Sequence, residues 1–261
     1  MPFTLSHAAA VIPFRRTPFV MSALVMGCFV PDFPYFVSLN PRMFYGHTFP
    51  GMFLLDLPLA LVMLWLFHAF LKQPMLMFLP AGFRRRLRTS VTSFRFWPME
   101  RFSLLVLSIL IGTATHLAWD AFTHRTSWIY ENWAFLRSSV ELPVIGEMDM
   151  YKFLEYASSA FGLVVVAVWI VYWYRTTKPS AAPVAEPVDP AQRRTLVISL
   201  PALALLGGAL RAYHTAGVRL QIRPLVYFTA DTLISAITYF LLGLLVCGVM
   251  FRRHRAVRAG D

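Results

Sequence analysis

The segment from Phe102 to His124 reads FSLLVLSILIGTATHLAWDAFTH and ends a long apolar run with ionisable side chains. His116 and Asp120 stand where a membrane helix ordinarily carries hydrocarbon. Ionisable groups inside membrane segments are costly, usually face a bundle interior or a cavity, and usually serve function. On a helix these two residues lie four apart on one face, so they can share one metal ion.

His124 extends the same pattern, because it follows Asp120 by four residues and His116 by eight. Eight residues of a regular helix span about 12 Å, which is too far for His116 and His124 to bind one ion. We therefore expect either that the last turn of this helix breaks or that His124 serves a substrate or a second ion.

The composition predicts a polytopic membrane protein. Of the 261 residues, 57% are hydrophobic and only 14% are charged, whereas about one quarter of a soluble domain is charged. The net charge of +11 lies in short clusters between apolar runs, so membrane topology explains it better than nucleic acid, and no nucleic-acid partner is expected. Cys28 and Cys247 stand inside apolar runs without zinc-binding spacing.

Six apolar runs are long enough to cross a membrane. They cover residues 18–37, 51–71, 102–122, 153–174, 196–216 and 225–251. The sequence therefore predicts an all-α fold, a polytopic membrane bundle of about six transmembrane helices that forms a single integral membrane domain over residues 1–261. The shorter apolar piece 4–14 predicts an interfacial or re-entrant N-terminal helix. Pro31 and Pro34, on either side of Asp32, should break or kink the outer end of the first run.

The distribution of Lys and Arg orients these runs. The basic loop 72–101, the flexible linker 175–194 and the basic tail 252–261 are expected in the cytoplasm, together with both chain termini, and the more acidic segment 123–150 is expected outside. In this orientation the polar residues within the runs share the outer half of the membrane, which predicts one cavity that opens outward. They are Asp32, Asp56, His116, Asp120, Glu155, Arg211, His214 and Asp231.

The imidazole and carboxylate groups in this set match the ligands of catalytic zinc and of other divalent metals. The candidate ligands are His7, Asp32, His47, His116, Asp120 and His124. The alternative is structural, with interfacial histidines, an aspartate in a turn and a hydrogen-bonded pair between His116 and Asp120. For His7 to reach Asp32, the residues from Leu5 to Pro13 must be partly extended.

Three further residues are weaker candidates for a catalytic role. Lys152 begins the fourth run and can extend along it to the interface, whereas Glu155 lies one turn deeper. Arg211 and Asp231 lie at similar depth on neighbouring runs, where a structural ion pair is favoured over catalysis.

Several separate motifs carry a family resemblance. They are PFTLSHAAA at residues 2–10, the Gly27–Asp32 stretch with its Pro-Asp pair, Gly46-His47-Thr48, the block 112–124, and MYKFLEYASS at residues 150–159. Together they resemble the bacterial membrane protein family catalogued as domain of unknown function 4184, over nearly the whole chain. This resemblance implies a location in the bacterial plasma membrane.

A more distant resemblance concerns the order of the polar motifs. A His, then Pro-Asp, then His-Ser/Thr, then His-x-x-x-Asp is similar to predicted membrane-bound metal-dependent hydrolases and to zinc-dependent phospholipase C. That similarity implies His7, Asp32, His47, His116 and Asp120 as ligands, with zinc as the expected metal. The chain has Thr48 where a serine is common and lacks the further histidines of a three-zinc site, so one or two ions are expected.

The predicted function is hydrolysis of a lipid or lipid-linked phosphoester, with membrane lipids as partners. A metal-activated water would attack, Asp120 or Asp32 would orient it, and Lys152 or Arg211 would stabilise phosphate charge. One alternative is a transporter or ion-binding protein, and another is a structural membrane protein with a buried polar cluster. A transporter needs polar groups that continue towards the inner side of the membrane, and among the polar residues of the runs only His68 is predicted there. The predicted depth of the polar residues therefore favours an enzyme.

Overall fold

The computed structural model describes residues 3–39, 45–87, 94–143, 146–181, 188–216 and 222–260. Its α-helices are α1 Met21–Phe29, α2 Phe33–Ser38, α3 Phe49–Gly51, α4 Leu57–Leu66, α5 Lys72–Met77, α6 Ala81–Leu87, α7 Met99–Asp120, α8 Trp128–Asn132, α9 Met150–Thr176, α10 Pro190–Ala216 and α11 Ile222–Gly260. Short 3-10 helices cover Thr4–Arg16, Val30–Asp32, Tyr45–His47 and Ala134–Arg137, and π-helical segments cover Met52–Asp56 and Phe67–Leu71.

Six helical stretches are long and apolar enough to cross a membrane. We call them the first to sixth spans: Met21–Ser38, Phe49–Met77, Met99–Asp120, Met150–Thr176, Pro190–Thr215 and Phe228–Arg253. They confirm the predicted all-α class with six transmembrane helices and indicate an integral membrane protein. Between the third and fourth spans, β1 (Ser139–Leu142) pairs with β2 (Gly146–Asp149) in an antiparallel hairpin that the sequence did not predict.

The connections differ in extent from the predicted ones. The fourth span continues to Thr176 and the fifth begins at Pro190, so the helices take up both ends of the predicted linker 175–194. The basic loop 72–101 contains α5 and α6, and α11 runs on through most of the basic tail 252–261. Lys and Arg are good helix formers, so a basic composition does not end a helix.

Proline shapes the first span as the sequence predicted. The helix α1 ends at Phe29, a 3-10 turn follows at Val30–Asp32, and α2 begins at Phe33. The N-terminal piece is also a 3-10 helix, Thr4–Arg16, which contains Pro13. A 3-10 helix rises about 2.0 Å per residue, more than an α-helix. The segment that carries His7 is therefore longer than an α-helix of the same residues, as the predicted contact of His7 with Asp32 requires.

The chain divides into two units, each described here by itself. The first unit is Met1–Phe33, Met43–Leu64 and Arg95–Thr176, and the second is Pro34–Arg42, Trp65–Phe94 and Thr177–Asp261. The prediction of one integral membrane domain stays a prediction. In the first unit, the N-terminal 3-10 helix packs against α1, α7 and α9.

The helices α1 and α7 approach each other at two glycines. A Cβ on Gly27 would collide with the carbonyl oxygen of Ile109, and a Cβ on Gly112 with the carbonyl oxygen of Leu24. Small residues allow membrane helices to bring their backbones together. The hydroxyl of Thr113 donates to the Gly27 carbonyl at 3.2 Å, which joins the two helices at the same crossing. This contact brings the C-terminal end of α1 beside His116.

In the second unit, α10 packs along α11, and α11 also contacts the C-terminal end of the second span. A Cβ on Gly248 would meet the carbonyl oxygen of Phe70, so glycine again allows close helix packing. The guanidinium group of Arg193 donates to the carbonyls of Met77 and Leu79, at 2.9 and 3.2 Å, and so fixes the end of α5.

Candidate metal centre

The first unit brings all six predicted ligands together at one end of its helices. The N-terminal 3-10 helix supplies His7, the 3-10 turn after α1 supplies Asp32, and the turn before the second span supplies His47. The C-terminal end of α7 supplies His116 and Asp120, and His124 follows it. We call these six side chains the His/Asp cluster: His7, Asp32, His47, His116, Asp120 and His124.

The cluster is closed to bulk water. The side chains of His7, Asp32, His47, His116 and Asp120 are at most 6% exposed, and that of His124 is 12% exposed. Burial of a charged or polar group costs free energy unless a partner replaces its water. The groups that contact these side chains therefore determine whether their burial is compensated and which ligand the cluster can bind.

The nitrogen–oxygen separations in the cluster suit ligands around an ion. Asp120 lies 3.4 Å from His7 Nε2, 3.3 Å from His116 Nε2 and 3.6 Å from His47 Nε2. Asp32 Oδ1 lies 3.4 Å from His47 Nε2 and 3.7 Å from His116 Nε2. These distances exceed the usual N–H···O range of about 2.7–3.2 Å. Two ligand atoms about 2.1 Å from one tetrahedral ion lie about 3.4 Å apart.

Several polar atoms of the cluster have no hydrogen-bond partner within the described part of the chain. They are both ring nitrogens of His7, Asp32 Oδ1, His116 Nε2, both carboxylate oxygens of Asp120 and His124 Nε2. Buried polar groups almost always have a partner, so a set of unpaired atoms that face one another requires explanation. A divalent cation among them would satisfy imidazole nitrogens and carboxylate oxygens together, so these residues fit a metal ion.

Hydrogen bonds around the cluster orient its ligand atoms. His116 Nδ1 lies 2.6 Å from the Cys28 carbonyl and donates to it, which leaves Nε2 directed at the cluster. The Thr4 hydroxyl donates to Asp32 Oδ2 at 2.6 Å, which leaves Oδ1 for the cluster. Metal-binding histidines and carboxylates commonly have such outer hydrogen bonds, which fix the tautomer and the orientation.

The end of α7 resolves the spacing problem of His124. The helix ends at Asp120, and the backbone N–H groups of Ala121, Phe122 and Thr123 donate to carbonyls three or four residues back. This turn brings His124 Nδ1 to 3.0 Å from the Asp120 carbonyl and to 3.6 Å from its carboxylate. The last turn therefore breaks, which is one of the two outcomes that the eight-residue spacing allowed.

The protonation of His7 and His124, which both lie outside the spans, favours metal binding. Burial, followed by the nearby His116, lowers the pKa of His7 from 6.5 to about 4. Burial also lowers the pKa of His124. Both rings are therefore neutral at physiological pH, the form in which imidazole binds a metal. The His7 ring stacks on His116 with ring centroids 3.9 Å apart.

The family model described as Domain of unknown function (DUF4184) matches residues 1–250. The chain belongs to this family. The match includes every residue of the His/Asp cluster, the first five spans and the sixth span as far as residue 250. No curated protein and no solved structure matches the chain.

Two overlapping sets of ligand atoms in this DUF4184 protein are close enough to hold an ion. One set is His7, Asp32 and His116, and the other is His47, His116 and Asp120. Within each set the ligand atoms all lie within 4.8 Å of one another. His116 belongs to both sets, but its Nε2 can bind only one ion because Nδ1 bonds to Cys28.

The predicted phosphate-binding and catalytic residues outside the cluster have other partners. Lys152 Nζ contacts both carboxylate oxygens of Glu155, at 2.9 and 3.0 Å. In the second unit, the Arg211 guanidinium donates to Ser235 Oγ at 3.1 Å and to the Leu39 carbonyl at 3.0 Å, instead of to Asp231. Catalytic roles for Lys152, Glu155 and Arg211 stay predictions.

Two residues near the cluster were not among the predicted site residues. Thr4 holds Asp32, and its only sequence signal is a Thr-x-x-His spacing at the N-terminus. Asp56 is fully buried in the π-helical segment Met52–Asp56. The sequence predicted that Asp56 lies in the outer half of the membrane, and the usual functional role of an intramembrane carboxylate was the available signal.

Proposed function

We propose that this protein is a membrane-embedded metal-dependent hydrolase that acts on a lipid or lipid-linked phosphoester. The observation that supports it is the set of nitrogen–oxygen separations of 3.3–3.7 Å among buried atoms, most of them without hydrogen bonds. The ligand chemistry favours zinc, as one or two ions, because imidazole and carboxylate are the ligands of catalytic zinc sites.

The roles of the protein groups follow from their surroundings. When bound, a divalent ion polarises the phosphoester and lowers the pKa of water. Asp120 and Asp32 each have at least one carboxylate oxygen without a hydrogen bond to the described residues, so either can accept the proton of a water molecule and orient it. His124 is the most exposed member of the cluster, which supports contact with substrate through Nε2.

The depth of the cluster supports a lipid headgroup as the reacting part of the substrate. Asp32 lies near the end of the first span, and His116 and Asp120 lie at the end of the third. His47 lies just before the start of the second span. Because successive spans cross in opposite directions, these positions share one side of the membrane. Phosphoesters of membrane lipids lie at that depth.

The reaction itself can be tested with phospholipids in mixed micelles. The purified protein, loaded with zinc in mixed micelles of phosphatidylglycerol and phosphatidylethanolamine, is expected to release a phosphomonoester or a free headgroup, detected by phosphorus NMR. Asp120→Asn should abolish the release, because it removes the charge of the carboxylate while it keeps the shape of the side chain. His214→Ala, an exposed change in the second unit, should leave the rate unchanged. Metal binding without release from these lipids or from a lipid-linked diphosphate would favour an ion-binding or transport role.

We further propose that the cluster opens to the outside of a bacterial plasma membrane and that both chain termini are cytoplasmic. The basic side chains of the connection between the second and third spans support this orientation. A reporter fused at Arg85 is expected to be cytoplasmic and one fused at Ser138 to be external. The opposite result at both positions would invert the topology and place the cluster on the cytoplasmic side.

A further inference from the structure

Asp56 is a buried carboxylate whose surroundings leave its charge unbalanced. The residue is 0% exposed, and neither carboxylate oxygen has a hydrogen-bond partner in the described part of the chain. A carboxylate in such a place requires a proton, a cationic partner or a metal ion, because isolated burial of the charge is costly.

The segment that carries Asp56 contacts three of the elements that supply side chains to the His/Asp cluster. The π-helical segment Met52–Asp56 packs against the turn Tyr45–His47, against the turn Val30–Asp32 and against α7. Asp56 interacts electrostatically with His47, His116 and Asp32. The carboxylate therefore lies beside the His/Asp cluster, although no ligand set predicted from the sequence includes it.

Gly46 creates the space that Asp56 occupies. A Cβ on Gly46 would lie 2.6 Å from Asp56 Oδ1, so any larger residue would displace the carboxylate. The same turn is held by Thr48, whose hydroxyl donates to the Tyr45 carbonyl at 2.7 Å and accepts from the Gly51 N–H at 3.0 Å. His47 and Asp56 are thus brought together by a turn with a fixed shape.

The two overlapping ligand sets leave one position to fill. If His116 Nε2 binds the first ion with His7, the second set retains His47 and Asp120. Asp32 Oδ1 lies within 3.7 Å of both His47 Nε2 and His116 Nε2, so it can bridge two ions. A fourth ligand for the second ion must come from the side of His47, where Asp56 is a further carboxylate without a hydrogen bond in the described part of the chain. Paired ions in phosphoesterases lie about 3.5–4 Å apart.

We propose that Asp56 is a metal ligand of a second divalent ion, which it holds together with His47 and the bridging Asp32. This inference rests on the proposed metal centre and adds a ligand and an ion to it. Charge balance supports it, because Asp32, Asp56 and Asp120 are all buried and would together carry three negative charges when ionised, more than one divalent ion neutralises.

The test is to count ions by elemental analysis in the purified full-length protein, with zinc and separately with Mn²⁺. Wild type is expected to hold about two ions per chain, and Asp56→Asn about one. With Mn²⁺, electron paramagnetic resonance should show a spin-coupled pair in the wild type and an isolated ion in Asp56→Asn. Gly46→Ala should also lose one ion, because its methyl group displaces the carboxylate. Asp231→Asn, in the second unit, is the matched control and should keep both ions.

The outcomes separate this inference from the proposed function. Equal ion counts in the wild type and in both the Asp56→Asn and Gly46→Ala proteins would overturn the role of Asp56 and leave the hydrolase proposal standing. Loss of one ion in both variants, with no lipid hydrolysis by the wild type, would support the role of Asp56 and overturn the hydrolase. A wild type without bound metal would overturn both. The Co²⁺ visible absorption of the remaining ion shows that each variant is folded.

Discussion

Replacement of His116 by alanine is expected to remove most of the bound metal and to lower the apparent affinity by more than about 100-fold. His116 is the one residue that both ligand sets share, and it is fully buried. Asp120→Asn should act in the same direction, because the Asp120 carboxylate lies within 3.6 Å of four histidines and neither oxygen has a hydrogen bond in the described part of the chain. Elemental analysis and titration with a competing chelator measure the effect.

Two variants calibrate this result. His214→Ala, in the second unit, should retain full metal content. Thr4→Val should lower the affinity by about 10–100-fold, because it removes the donor that orients Asp32 without removing a ligand. Equal metal content in the wild type, His116→Ala and Asp120→Asn would reject the metal centre and support a buried hydrogen-bonded pair.

Replacement of Gly112 by valine is expected to destabilise the protein by about 3 kcal/mol or more and to disrupt the cluster at the same time. The new Cβ would collide with the carbonyl oxygen of Leu24 and lie 3.0 Å from the backbone nitrogen of Cys28. Backbone atoms cannot move aside as a flexible side chain can, so α1 and α7 must separate. Because Asp32 follows α1 and His116 lies on α7, metal content should fall with the thermal unfolding temperature.

Ala114→Val is the matched control, since it adds bulk to an exposed position of the same helix two residues away. Its unfolding temperature and metal content should stay close to those of the wild type. If Gly112→Val has an unfolding temperature and a metal content as high as those of Ala114→Val, the close approach of α1 and α7 does not hold the site together.

The six spans and the core of the site could be predicted from the sequence because their signals are local. Long apolar runs identify the spans, and the four-residue spacing of His116 and Asp120 puts both on one helix face. The break at Pro31 and Pro34 follows from backbone chemistry within a few residues. The N-terminal piece was predicted to be partly extended because His7 could not otherwise reach Asp32. Its 3-10 conformation is consistent with that prediction.

The sequence could not show which of the residues with distant partners belong to the site. The sequence predicted the outer half of the membrane for Asp56, but only the π-helical segment and the absence of a side chain on Gly46 bring it beside His47. Arg211 was predicted in the same half and Lys152 at the interface, yet their partners are Ser235 with Leu39 for Arg211 and Glu155 for Lys152. The predicted depth in the membrane limits which residues can contact one another. It does not determine which of these contacts form.

The sequence by itself determined that this is a helical membrane protein and that His and Asp residues lie at one level of its spans. These properties depend on the hydropathy of short segments and on helical periodicity, which neighbouring residues control. The tertiary structure alone decided that the six His and Asp side chains of the cluster, from four segments, meet, with His124 returned to Asp120 by a turn. That convergence depends on the contact of α1 with α7 at Gly27 and Gly112, because backbone approach between helices distant in sequence is a property of packing and not of any single segment.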